Sequence, residues 1–329
     1  MFHLLVVPSL YWVIPIVYLL IFVLLCWTLY QAGVRKFLPI RSQLLRTQAW
    51  PLAKFALYSV LTSMGAMLAF RIDKVMLRGL TTDFDTGVYA AFTFLAGIIL
   101  FPLQSMVGSY GPHVAKAWSH TNISSLRRLH KKSSRTLLLI GFGLFYLIAL
   151  SIDDLLRLTT HYATFKMGIN AFLFLGLANA LDSAFGLNGL ILTYSKYYYW
   201  GLIATIGLAI VNILLNLKLI PFYGLTGAAM ATGASILLYN LIFYAINWFK
   251  FRIQSFDWKS LYLILVLSGT FILARFCSVT NYPIWNVLSR TMVFFLLSTF
   301  VIFRFRLAPE ATTFANHWYQ RVQRILLNN

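Results

Sequence analysis

Charged residues are scarce in this sequence, and acidic residues are the scarcest. Only 11% of the 329 residues are charged and 60% are hydrophobic, whereas an ordinary soluble domain is about 25% charged. A soluble fold of this length has too little interior to bury so many apolar side chains. The composition therefore excludes a soluble globular domain and predicts a membrane protein.

The few charges are strongly unbalanced. Lys and Arg number 27 against 8 Asp and Glu, which gives a net charge of +19. In a soluble chain such basicity would indicate nucleic-acid binding. Here the basic residues fall between apolar runs, as in the cytoplasmic loops of membrane proteins. We therefore expect no nucleic-acid partner.

The residues needed for enzyme chemistry are also few. Cys26 and Cys277 lie far apart in apolar runs, which excludes a disulfide framework or a cysteine metal cluster. The six histidines lack metal-ligand spacing, and the carboxylates are too scattered for paired acid–base work. No glycine-rich phosphate loop with a lysine is present. We expect no catalytic residues, no metal, no cofactor and no ATP hydrolysis, so the chain is not predicted to be an enzyme.

Long apolar runs dominate what is present. A spanning helix needs about 20 mostly apolar residues, and nine runs meet this requirement, which predicts an all-α polytopic membrane helix bundle. The weakest is the second, because Arg71, Asp73 and Lys74 lie at its outer end. The start of the chain lacks the basic residues and cleavage site of a signal peptide. The predicted spans are 9–30, 53–74, 86–109, 135–152, 166–192, 197–217, 224–248, 259–276 and 283–303.

Alternate loops differ in basic content, which predicts the orientation. The basic set contains 19 of the 27 Lys and Arg residues and is assigned to the cytoplasm. Nine spans then place the N-terminus outside and the C-terminus inside a plasma (inner) membrane. The cytoplasmic set comprises Arg35, Lys36, Arg41, Arg46, Lys54, Lys116, Arg127, Arg128, Lys131, Lys132, Arg135, Lys196, Lys250, Arg252, Lys259, Arg304, Arg306, Arg321 and Arg324.

Two cytoplasmic segments combine basic and bulky apolar residues. In 111–135 and in the tail 304–329 this pattern is typical of an amphipathic helix or hairpin at the membrane surface, attracted to anionic lipid headgroups. The alternative for 111–135 is ordinary loop charge on the cytoplasmic side.

Two motifs resemble a known family. The run Asp73-Lys74-Val75-Met76-Leu77, followed by Gly87-Val88-Tyr89-Ala90-Ala91, resembles the start of the second half of bacterial polysaccharide flippases. The more specific match is NILLNLKLIPFYGLTGAAMAT at 212–232. These O-antigen and capsule-repeat translocases belong to the multidrug/oligosaccharidyl-lipid/polysaccharide exporter superfamily. The resemblance in sequence covers roughly residues 40–250. The rest of the chain resembles the family only in its topology.

The resemblance implies a carrier that moves an undecaprenyl-diphosphate-linked oligosaccharide to the outer leaflet by alternating access. Family members have 12 or 14 spans. If the last span here matches span 14 of a 14-span member, the nine spans correspond to spans 6–14. The expected domains are 1–50 (a single span and basic linker), 51–250 (the six-span C-terminal lobe) and 251–329 (the last two spans and basic tail). Five N-terminal spans would then be missing. A truncated or mis-started reading frame is the preferred explanation, with a split gene or a half-protein needing a partner as alternatives.

Asp182 is the first candidate site residue. It lies 16 residues into the span 166–192, about 24 Å along the helix. A carboxylate at this depth is costly and marks a functional site by default. Asn179, Asp182 and Gly186 share one helix face in this prediction. This face could bind a proton or a cation, or it could line a water-filled cavity. The alternative is that Asp182 is protonated and forms a hydrogen bond to a neighbouring helix.

Three intramembrane amides form a second group. Asn212 and Asn216 lie one turn apart on 197–217, and Asn240 lies on the next span. Such amides commonly form interhelical hydrogen bonds, each contributing about 0.6 kcal/mol. The alternative is contact with sugar in a cavity.

The remaining candidates lie nearer the span ends. Arg71, Asp73 and Lys74 either extend to the outer interface or form a cationic cavity wall that attracts the substrate diphosphate. Arg290 lies about 10 Å into its span, and its side chain likewise either extends to the interface or contributes to the cationic cavity wall. Gln104 lies beside Pro102, where a kinked helix would act as a hinge.

Three other functions compete with the flippase. A multidrug extruder of the same superfamily is disfavoured by the 212–232 motif and the basic loops. An O-antigen polymerase or ligase is disfavoured because the outer loops are about a dozen residues long at most. The last alternative is a fragment that is inactive alone, since one lobe gives a central cavity no second wall.

Overall fold

The computed structural model describes residues 10–31, 42–69, 71–277 and 282–305, which are helical apart from short turns. The predicted amphipathic tail 304–329 lies outside these residues from position 306 onward. The helices are α1 (Leu10–Gln31), α2 (Ser42–Ala69), α3 (Ile72–Leu80), α4 (Asp83–Gly97), α5 (Phe101–Ser119), α6 (Ile123–Arg157), α7 (Tyr162–Lys166), α8 (Ile169–Phe185), α9 (Asn188–Thr193), α10 (Tyr199–Phe251), α11 (Trp258–Arg275) and α12 (Pro283–Arg304).

The chain divides into two compact units, Met1–Phe55 and Ala56–Asn329. The first contains α1, an apolar helix with exposed side chains, and the start of α2. In the second, α8 lies at the centre and packs against α4, α6 and α10, while α11 and α12 pack on α6. Tyr146 of α6 and Ser268 of α11 are joined by a hydrogen bond of 2.7 Å between their hydroxyls.

Within the described residues, five helical segments are long and apolar enough to cross a membrane: Asp83–Ser119, which comprises α4 and α5, and the helices α6, α10, α11 and α12. The shorter apolar helices are residues 15–28 of α1 and α8. The 53 residues of α10 exceed by far the 20 or so that one crossing needs. A non-helical residue, Gly224, bends α10 between the predicted spans 197–217 and 224–248. The predicted class, an all-α membrane helix bundle, is confirmed.

Two predicted spans break into separate helices, and a third, 86–109, contains the 3₁₀ turn at Ile98–Leu100. The span 53–74 is interrupted between Ala69 and Ile72, and Asp73 belongs to the first turn of α3, where its carboxylate accepts the Lys74 N–H. A carboxylate is favourable at such a helix start. The prediction of one helix over this range is wrong.

The span 166–192 ends early for a different reason. Gly186 has a φ of +67°, so α8 stops at Phe185 and a separate helix, α9, follows. A Cβ on Gly186 would lie 2.3 Å from the Ser134 Oγ, so this close turn requires glycine. The predicted helical face therefore keeps Asn179 and Asp182 but loses Gly186.

The basic segment 111–135 forms a helical hairpin, in which α5 ends at Ser119 and α6 begins at Ile123. Its bulky residues pack inside the protein. Trp118 donates its indole N–H to the Ile191 carbonyl at 3.1 Å. Internal packing thus accounts for the apolar half of the amphipathic pattern, and attraction of the basic half to lipid headgroups stays a prediction. The cluster contains Val114, Leu126, Ile191 and Ile253, with Trp118 and Leu129 against it.

One carboxylate connects this hairpin to α11. Asp257 caps α11 by accepting the Ser260 N–H at 3.0 Å, and it forms ion pairs with Arg135 and Lys131 of α6. Partial burial raises the pKa of the Asp257 carboxyl, but hydrogen bonds from Arg135, the Ser260 N–H and Lys131 more than offset this effect. The pKa therefore lies well below its ordinary value of 3.8.

We expect Asp257→Asn to lower the free energy of unfolding by about 1 kcal/mol and Asp257→Ala by about 2–3 kcal/mol. Asparagine keeps the helix cap and loses only the ion pairs. Because the folded-state pKa is depressed, this contribution is present above the unfolded pKa of about 3.9 and is lost as the pH falls through the folded pKa. Thermal unfolding in detergent between about pH 6 and 8 should show a constant difference between Asp257→Asn and wild type.

Asp83→Asn is the matched control. Its ion pair with Arg78 has side chains that are 77% and 70% exposed, so its loss should be barely measurable. Equal destabilisation by Asp83→Asn and Asp257→Asn would contradict the role given to Asp257.

Candidate cavity and polar network

A cavity of about 330 Å³ lies among α3, α4, α5, α8 and α10 of the second unit. Two carboxylates line it, those of Asp73 and Asp182, and none of its lining residues is basic. Four of the predicted site residues therefore meet here: Asp73, Gln104, Asn179 and Asp182. The other polar lining residues are Thr93 and Thr232.

Asp73 is 1% exposed and is the centre of a hydrogen-bond network. Its Oδ2 accepts the Tyr89 hydroxyl at 2.5 Å and the Thr232 hydroxyl at 3.0 Å. Its Oδ1 accepts the Lys74 N–H at 2.7 Å. A buried carboxylate needs such donors, because burial without them costs several kcal/mol. Asp73 therefore does not extend to the outer interface.

The network continues along the first half of α10. Asn212 donates to the Thr232 hydroxyl at 3.3 Å, and Asn216 donates to the Asn212 Oδ1 at 2.7 Å. The Asn212–Thr232 bond joins the two halves of α10, whereas the Asn216–Asn212 bond lies within the first half. The Oδ1 of Asn216 is buried and has no hydrogen-bond partner within the described residues. Carboxylate, hydroxyl and amide oxygens are the ligands that hard cations prefer, so Asp73, Thr232, Asn212 and Asn216 form a candidate cation site.

Asp182 has one amide partner. The Asn240 side chain donates to its Oδ1 at 2.8 Å and also to the Ile236 carbonyl at 3.1 Å. Both residues lie 16 positions after the start of their predicted spans at 166 and 224. In the predicted topology these two spans cross the membrane in the same direction, so Asp182 and Asn240 lie at equal depth, and the hydrogen bond between them is consistent with that topology.

The helix beside the cavity is irregular, and α8 stabilises it. A 3₁₀ turn at Ile98–Leu100 separates α4 from α5 just before Pro102. Asn179 donates to the Ala96 carbonyl at 2.9 Å, next to this turn. Side-chain donors of this kind satisfy backbone groups that a broken membrane helix leaves free. Gln104 is exposed on the following turn and lines the cavity.

The predicted basic residues lie elsewhere. Arg71 is exposed and Lys74 half-buried, and neither lines the cavity. Arg290 forms an ion pair with Asp154 of α6 at 2.5 Å. The cationic wall proposed for the substrate diphosphate is therefore not part of this cavity.

Sequence reasoning missed Tyr89 and Thr232 as site residues, although both lie in the quoted motifs. Tyr89 is fully buried, and a phenol in an apolar run needs a polar partner. That requirement was the available signal. Thr232, 159 positions from Asp73, gave no local signal.

A second polar cluster lies at the predicted cytoplasmic end and combines loop residues with Asn188 and Asn247, which lie near the ends of the predicted spans 166–192 and 224–248. His130 is fully buried and its Nε2 lies 2.9 Å from the Ser255 hydroxyl. Asn247 donates to the Asn188 carbonyl at 3.0 Å in the same cluster. It joins α6 and α9 to α10 and the segment that follows α10. Across the described ranges, no three His, Cys, Asp or Glu side chains are grouped to hold a metal.

Comparison of the chain with models of known protein families and with curated proteins gives no match. The class defined by the fold is an all-α, multi-pass membrane helix bundle with a carboxylate-lined internal cavity.

Proposed function

We propose that this chain is a membrane carrier, specifically a flippase for undecaprenyl-diphosphate-linked oligosaccharide repeats that works by alternating access. The observation that carries the proposal is the cavity of the helix bundle that two carboxylates, Asp73 and Asp182, line. Intramembrane carboxylates that face a cavity mark ion or substrate pathways. The substrate class comes from the resemblance of 73–91 and 212–232 to polysaccharide flippases.

Interrupted helices around the cavity support a carrier mechanism. The breaks are the turn before Ile72, the 3₁₀ turn at Ile98–Leu100, and the non-helical residues Gly186 and Gly224. Carriers form their sites from discontinuous membrane helices, whose breaks also act as hinges. A simple structural bundle needs no such breaks.

The Asp73 network is the proposed site of the coupling cation. A monovalent cation would bind the oxygens of Asp73, Thr232, Asn212 and Asn216 and replace the present hydrogen bonds among them. Its binding energy would couple the positions of α3 and both halves of α10, since these helices supply the ligands. The chain holds no ATP-binding motif, so an ion gradient is the proposed energy source.

The charge of the cavity favours one alternative, the multidrug extruder. Asp73 and Asp182 make the cavity anionic, and such a cavity suits an organic cation better than a diphosphate. For the flippase, the diphosphate must therefore contact basic residues outside the cavity.

Reconstitution into vesicles separates these two functions. One assay follows translocation of a fluorescent undecaprenyl-diphosphate oligosaccharide with a membrane-impermeant quencher. The second follows efflux of ethidium under a sodium or proton gradient. The flippase predicts accelerated translocation of the lipid and no ethidium efflux. Efflux of ethidium alone would assign the extruder, and activity in neither assay would refute the carrier.

We expect Asp182→Asn to slow translocation about tenfold, because a neutral amide cannot provide the carboxylate charge to the cavity. The fold should be retained, since asparagine still accepts the Asn240 hydrogen bond. The measurement is the vesicle translocation rate, with surface polysaccharide in a complemented strain as the cellular readout. Asp83→Asn, in an exposed pair with Arg78, is the control. An unchanged translocation rate and unchanged surface polysaccharide in Asp182→Asn would mean that Asp182 has only a structural role.

A further inference from the structure

A basic crevice of about 470 Å³ lies at the opposite end of the second unit from the His130 cluster. It is formed by α6, α7, α8, α11 and α12. Four cations line it, and two carboxylates accompany them, which leaves a net charge of +2. The cations are Arg157, Lys166, Arg275 and Arg290, and the carboxylates are Asp153 and the Asp154 that pairs with Arg290.

Part of this positive charge is not neutralised within the protein. Arg290 uses one terminal nitrogen for Asp154, while its Nε is buried without a hydrogen-bond partner. Arg275 is exposed, and no carboxylate of the described residues pairs with it. Lys166 lies 5.6 Å from the Tyr162 ring centroid and forms no ion pair there. These donors are available to an anion.

The position of the crevice makes its charge unusual. The cytoplasmic set takes 19 of the 27 Lys and Arg residues, so eight remain for the outer half of the chain. Four of these eight line this one crevice. Loop charge on the cytoplasmic side cannot explain a concentration of cations at the end predicted to face outside.

An apolar groove of about 270 Å³ continues from the crevice between α6 and α12. On each of three helices, a groove residue lies one helical turn from a crevice residue, and in each case the crevice residue is nearer the predicted outer surface. Residues three or four apart share a helix face, so the two spaces form one path along the bundle. The pairs are Leu147 and Leu150 on α6, Leu267 and Phe271 on α11, and Phe294 and Arg290 on α12.

A cationic pocket at the membrane surface with an apolar groove beneath it matches the shape and charge of a phospholipid. We propose that an anionic phospholipid of the outer leaflet binds here, with its phosphate among Arg275, Arg290 and Lys166 and one acyl chain in the groove. The lipid would hold α11 and α12 against α6. The site lies apart from the Asp73 cavity, and the proposal does not rest on the transport function.

The test measures binding of phosphatidylglycerol to the purified full chain by native mass spectrometry and by thermal unfolding. Phosphatidylethanolamine and inorganic phosphate are the comparison probes. Phosphatidylglycerol should be retained and should raise the Tm, whereas inorganic phosphate should have little effect because it cannot occupy the groove. Equal stabilisation by free phosphate would overturn the lipid assignment and leave an anion site.

Two variants test the two halves of the site. Lys166→Gln/Arg275→Gln changes exposed, unpaired cations and should weaken phosphatidylglycerol binding at least fivefold without loss of fold. Gly143→Leu fills the groove, where a Cβ at this position meets nothing within 4 Å, and should weaken binding to a similar extent. Lys218→Gln, an exposed cation outside the crevice, should bind like wild type. If all three variants bind phosphatidylglycerol equally, the proposal is wrong.

Discussion

Asp73→Asn should reduce translocation about 100-fold, the largest effect we expect from a single conservative change in this chain. The carboxylate accepts hydrogen bonds from Tyr89 and Thr232 and provides the charge of the proposed cation site. Hydrogen bonds to a charged group contribute about 1.5–3 kcal/mol each, and about 2.7 kcal/mol corresponds to a factor of 100. The measurement is translocation of the lipid-linked oligosaccharide in vesicles with an imposed sodium or proton gradient.

A second readout separates coupling from folding. Sodium chloride, compared with choline chloride at equal ionic strength, should raise the Tm of wild type if sodium is the coupling cation, and Asp73→Asn should abolish that response. Asp85→Asn is the matched control, because the Asp85 side chain bonds Thr82 in an exposed helix cap, one turn before Tyr89, and not the carboxylate of Asp73. Translocation by Asp73→Asn at more than half the wild-type rate would refute the role of the network in coupling.

Gly227→Ala is expected to have the largest effect on stability. Gly227 follows the bend of α10 at Gly224, where the second half of the helix passes close to the first. A Cβ on Gly227 would lie 2.2 Å from the Leu219 carbonyl oxygen and 2.6 Å from its carbonyl carbon. Those are backbone atoms, so the contact cannot be relieved by turning a side chain. The bend must open, at a cost of about 3 kcal/mol or more in the free energy of unfolding.

The control lies on the same helix. Gly207→Ala adds the same methyl group at a helical position with nothing within 4 Å, so it should be neutral or slightly stabilising. Thermal unfolding in detergent should place the Tm of Gly227→Ala about 5–10 °C below that of Gly207→Ala. Equal Tm values would mean that the bend tolerates a side chain and is not fixed by this contact.

Much of the helical layout was predictable because bilayer thickness sets helix length. Apolar runs of about 20 residues gave spans that coincide with α11, α12 and both halves of α10, and one span, 135–152, that lies within the longer α6. The failures were local backbone features. Gly186 was assigned to a continuous helix because hydropathy carries no information on a positive φ. The break before Ile72 was missed because Arg71, Asp73 and Lys74 were assigned to the outer end of one continuous span.

The candidate site was predictable only in part. Asp182 and Asn179 stood out because polar groups are costly in a membrane span, and both line the cavity. Asp73 was chosen for its charge, yet its assignment to either an interface or a cationic wall did not anticipate a buried network. Tyr89 gave a weak signal and Thr232 none.

The sequence by itself determined the membrane embedding, the predicted orientation and the list of costly intramembrane polar groups, because each follows from transfer free energies of single residues and loop charges. Only the tertiary structure decided which of those groups meet. Asp73 and Thr232 are 159 positions apart, and their contact depends on how α3 and α10 pack. The same packing separated Arg71 and Arg290 from the cavity and placed Arg290 instead beside Asp154.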